Sequence, residues 1–104
     1  MNPECDAIIN QTPGAIVITD TESDTTIVFK RPTRAVVERF LSSAMDDKVS
    51  KLGASERLAD DCLVYPAPDV LRRLYDQRPM LPIAFMEEIT KAAGLKASFT
   101  RGRP

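Results

Sequence analysis

The side chains that most often do chemistry near neutral pH are scarce in this chain. Of its 104 residues none is histidine, so Ser-His-Asp triads, imidazole proton relays and histidine-ligated zinc are all closed to it. Carboxylates and two thiols remain. Asp46-Asp47, Asp60-Asp61 and Glu87-Glu88 are paired in sequence, but neighbours on a helix point roughly 100° apart. Each pair also sits among polar positions, the pattern of a solvated face. Cys62 lies beside Asp60, Asp61 and apolar residues, surroundings that raise a thiol pKa where a nucleophile needs it lowered. Asp20, Glu22 and Asp24 alternate like the start of a calcium loop, yet no glycine follows at the sixth position and Arg31 stands at the twelfth. The four glycines are scattered, which leaves no phosphate cradle. We therefore expect no catalytic residue, no cofactor and no metal: the protein reads as non-enzymatic.

Two cationic segments are candidates for binding instead. Phe29-Lys30-Arg31-Pro32-Thr33-Arg34 places three cations where an apolar run meets a helix start, and Phe29, Lys30, Arg31 and Arg34 suit an acidic surface on a protein partner. At the other end, Arg101-Gly102-Arg103-Pro104 looks like the core of an AT-hook, whose arginines lie in narrow minor grooves. Arg101, Gly102 and Arg103 are thus the residues of an alternative nucleic-acid reading. The single short match and the pI of about 5.4 argue against it. Charge is polarised along the chain: residues 1–24 hold five acids and no base, and residues 91–104 four bases and no acid. Head-to-tail contact in a homo-oligomer would use that asymmetry.

These segments must be positioned by a small fold. Hydrophobic and charged fractions of 43% and 28% are those of a folded chain. Ala15 to Thr19 and Thr26 to Phe29 are β-branched runs around a polar loop, predicting a hairpin over 15–30. Pro32 and Thr33 then open a helix over about 33–46 with Val36, Val37, Phe40, Leu41, Ala44 and Met45 on one side. Further helices follow over about 48–65, 68–77 and 82–93, punctuated by Pro66, Pro68, Pro82 and Gly94. Whether Gly53 splits the 48–65 segment in two stays open. The expected architecture is one α+β domain over 15–95, mostly helical, between an N-terminal extension (1–14) and a basic tail (96–104). The hairpin needs a partner for one face and leaves an edge that a partner strand can use. The N-terminal residues lack the basic and apolar regions of a secretion signal, and no apolar run approaches membrane-spanning length. The widely separated cysteines imply no disulfide, and a cytoplasmic location is expected.

The series Ile27-Val28-Phe29-Lys30-Arg31-Pro32-Thr33, Leu58-Ala59-Asp60-Asp61-Cys62-Leu63-Val64-Tyr65-Pro66, Pro79-Met80-Leu81-Pro82 and Glu88-Ile89-Thr90-Lys91-Ala92-Ala93-Gly94 resembles small proteins of phage and prophage tail-gene clusters, the tail assembly chaperones of siphovirus type. The resemblance covers residues 15–95. It implies a mostly helical, oligomer-forming protein of the bacterial host cytoplasm. Such a protein binds tail-tube or tape-measure subunits, prevents their premature polymerisation and is absent from the finished particle. It assigns no contact residue by position. A nucleic-acid-binding regulator and an immunity- or antitoxin-like binding protein are the alternatives.

Overall fold

The computed structural model describes residues 3–95. Its elements are α1 (Pro3–Gln11), β1 (Ile16–Asp20), β2 (Thr25–Phe29), α2 (Arg34–Ala44), α3 (Lys51–Cys62), β3 (Leu63–Tyr65), α4 (Pro68–Gln77) and α5 (Leu81–Ala92). This is an α+β domain with an N-terminal hairpin followed by helices, as expected. Two elements were not expected. Residues 1–14 contain α1, and the segment 48–65 is one helix that stops at Cys62 before a third strand.

The hairpin pairs Ile16 with Phe29 and Asp20 with Thr25, and Asp24 takes the left-handed conformation (φ 52°) in its turn, which aspartate tolerates. On the far side of β2, β3 adds antiparallel in the order β1-β2-β3. The Lys30 N–H, donating to the Cys62 carbonyl at 2.8 Å, ties the two strands where α3 ends. Leu63-Val64-Tyr65 leaves the helix because the residue before a proline is pushed extended and the apolar and β-branched side chains suit a strand.

Ile27 and Phe29 point to the main core, where they meet Leu58, Ala59 and Cys62 of α3, Leu71, Leu74 and Tyr75 of α4, and Phe85 and Ile89 of α5. The Phe29 and Phe85 rings are 5.4 Å apart and tilted by 58°. Val28, also fully buried, alternates to the opposite face, where α1 packs against β3 and buries Cys5.

Local rules place the helix ends. Thr33 caps α2 by accepting from the Val36 N–H at 3.3 Å, and Ser50 caps α3 by accepting from the Gly53 N–H at 2.8 Å. Gly53 sits in the first turn, and a Cβ there would stand 2.9 Å from the Ser50 hydroxyl. The glycine admits the cap instead of breaking the helix. Gly94 (φ 103°) closes α5: the Leu95 N–H reaches the Thr90 carbonyl and the Gly94 N–H that of Lys91, each at 3.0 Å, a Schellman motif.

One core group is at odds with its surroundings. The buried Tyr75 hydroxyl has no hydrogen-bond partner among the described residues, and its pKa is pushed up by burial first and then by the nearby Asp60 and Glu56 carboxylates. An unsatisfied buried hydroxyl costs free energy that phenylalanine would not. Tyr75→Phe is expected to leave stability unchanged or raise it by up to about 1 kcal/mol in urea unfolding; a loss of more than that would reveal a partner for the hydroxyl.

Candidate functional site

Helix α2 is amphipathic in sequence, yet none of its eleven residues is fully buried. Val36 and Phe40 reach the core from its margin, whereas Leu41 is 50% and Met45 82% exposed. The six-residue apolar face expected of this helix is thus covered at its start and open at its end. On the facing side, α5 gives Ile89 to the core and lines the gap with Met86, Thr90 and Ala93. An apolar groove of about 360 Å³ remains between the two helices, over Leu58 of α3, with Pro32 at one end and Leu95 on its wall. Leu95 is itself 72% exposed. Thr90, the polar residue lining the groove, turns its hydroxyl to the Met86 carbonyl at 2.8 Å, so its donor is satisfied inside the helix. The groove therefore offers contact area and almost no polar chemistry.

The cations named from the sequence fall near the Pro32 end. Lys30 and Arg31 are exposed and make no ion pair among the described residues; the Arg31 side chain lies against Gly14, whose φ of 67° and lack of a Cβ make room for it. Arg34 is exposed too, but pairs with Glu38 one turn on, at 2.9 Å. Phe29 is a correction: it is 0% exposed and belongs to the core. Strand alternation decides this, because Phe29 shares the face of Ile27 and cannot turn outward with Lys30. Arg101, Gly102 and Arg103 lie outside the described residues.

Three of the thiol and carboxylate groups are tied into the fold. Burial pushes the Cys62 thiol up to about 11, with help from Asp61. Asp61 accepts from Arg39 at 3.3 Å. Asp20 is held by Arg78, which also bonds Glu22 at 2.6 Å. Among the described residues no group of three or more cysteine, aspartate or glutamate side chains is placed to hold a metal ion, and no helix is long and apolar enough to cross a membrane.

The open β1 edge is the hairpin edge expected from the sequence. The groove's position was not expected, since it depends on the packing of α2 against α5, which spacing along one helix cannot report.

No curated protein matches the chain. A solved structure of an uncharacterised protein from Bacillus stearothermophilus shares the fold, with a TM-score of 0.75 and 17% identity, over 94% of this chain and 99% of that one. Residues 13–101, nearly the whole sequence, match the model of the domain of unknown function DUF6848, and the chain belongs to that family.

Proposed function

We propose that this domain is a non-enzymatic binding protein that holds an apolar segment of another protein in the groove between α2 and α5. The observation that carries this reading is the open groove itself, with Leu41 and Leu95 of its lining left largely to solvent. Exposed apolar surface of this kind gains free energy when a partner covers it. Lys30 and Arg31, next to Pro32 and without an ion pair among the described residues, favour a segment that carries acidic residues at one end.

In the setting suggested by the motif resemblance, the occupant is a stretch of a tail-tube or tape-measure subunit held back from premature polymerisation in the bacterial cytoplasm, and the domain acts as a tail assembly chaperone. Such a task requires reversible cover for a sticky segment and no bond-making. Leu41→Lys tests it, because residue 41 is half exposed and its replacement leaves the core intact. The variant should fold like the parent by circular dichroism and bind a co-expressed tail-tube or tape-measure subunit at least ~10-fold more weakly in calorimetry. Unchanged affinity in the folded variant would refute the groove as the binding surface.

A further inference from the structure

The outer edge of β1 is where the sheet is still incomplete. Among the described residues no strand pairs with that edge. Alongside it runs a depression of about 430 Å³ between Val17, Ile18, Thr19 and Asp20 on one side and α5 on the other. Consecutive strand residues line it, so it borders the backbone edge and not one face of the sheet. Arg78, just before α5, donates to Asp20 at 2.9 Å and sets the helix start beside the strand end. From there, the seven-residue rise from Leu81 to Glu88 covers about 10 Å, as do the three steps from Val17 to Asp20.

The wall has two chemistries. Leu81, Ala84 and Phe85 are apolar, and Glu87 and Glu88 are acidic. Glu88 reaches Lys91 at 3.5 Å, while Glu87 makes no ion pair among the described residues. A bare strand edge invites a second copy of the same chain. Here two β1 strands paired about a dyad would bring two α5 helices, and with them four Glu87 and Glu88 carboxylates, to one seam. Their repulsion opposes self-pairing, and the same acids attract a cationic strand.

We propose that the β1 edge is a docking site for an extended segment of a partner protein. The segment adds as a fourth strand, laying apolar side chains over Leu81, Ala84 and Phe85 and a lysine or arginine against Glu87 and Glu88. Main-chain hydrogen bonds hold it, and the acidic wall selects its charge. This site uses the opposite side of α5 from the groove and does not depend on what the groove binds.

The test uses the full chain and two eight-residue peptides, one alternating valine with lysine and threonine, the other with glutamate in place of lysine. The lysine peptide should slow amide exchange at the outward-pointing N–H groups of β1 and bind about tenfold more tightly than its glutamate twin. The double variant Glu87→Gln, Glu88→Gln, which alters only exposed side chains, should erase that preference. Equal binding of the two peptides to the parent, or binding of neither, would overturn the proposal. So would β1 amides already protected without peptide in a monomeric chain, which would give the edge to the chain itself. Concentration-dependent self-association that protects them would give it to a second copy and overturn it equally.

Discussion

Phe29→Ala should destabilise the domain by about 3–5 kcal/mol, the range for deleting a fully buried aromatic ring. Phe29 has no exposed surface, sits between α3, α4 and α5, and makes the ring contact with Phe85 that joins the sheet to the last helix. For a domain of this size, whose total stability is on the order of 5–15 kcal/mol, that is a large fraction. The melting temperature should fall by roughly 12 °C or more. The same experiment separates the two roles that the sequence offers for this residue. Phe29→Leu keeps most of the buried volume and should cost less than Phe29→Ala while leaving partner affinity unchanged. A stable, folded Phe29→Ala variant that had lost binding would return Phe29 to the contact surface.

The second large effect is electrostatic and has a defined pH window. Asp20 closes β1, and its carboxylate receives hydrogen bonds from Arg78 and Ser23. Chiefly through the Arg78 bond, its pKa is lowered from 3.8 to about 2. Because the folded pKa lies below the unfolded one, the contribution is complete above about pH 4 and is lost as pH falls through the folded value. A displacement of this size is worth about 2.5 kcal/mol at most, at ~1.4 kcal/mol per pH unit. The 10% and 29% exposures of the Asp20 and Arg78 side chains place the expected value between about 1 and 2 kcal/mol after screening. Asp20→Asn should therefore lower stability by that amount at pH 7 and flatten the fall in stability between pH 4 and 2. Arg78→Ala should flatten the same acid limb, and adding it to Asp20→Asn should flatten that limb little further. An unchanged acid limb in Asp20→Asn would contradict the pairing.

Proline, capping and C-cap signals made much of the helical framework legible. Helix α4 spans Pro68–Gln77, starting just after Pro66 with Pro68 in its first turn, and α5 ends at its Gly94 motif. Long-range packing decided what local signals did not reveal. Leu63 to Tyr65 continue the helical spacing of α3; Pro66 favours an extended Tyr65, and pairing with Val28 and Phe29 completes the strand. Helix α1 is short and polar, and its principal buried anchor, Cys5, gains meaning only once a sheet face stands beside it. The candidate site was legible in kind, as apolar helix faces and a free strand edge. The position of the groove follows from how α2, α3 and α5 pack around Leu41 and Leu58, an arrangement that no periodicity encodes. For Phe29, alternation with Val28 along β2 is itself enough to put the side chain on the Ile27 face.

Amide exchange on the complex between the full chain and a co-expressed tail-tube or tape-measure subunit tests the groove most directly. Exchange should slow in residues 34–45 and 86–95, on the two walls of the groove, while α1 on the other face of the sheet keeps the rates of the free protein. Protection confined to α1 or α4, or failure of the folded chain to form a complex with either subunit, would contradict the account.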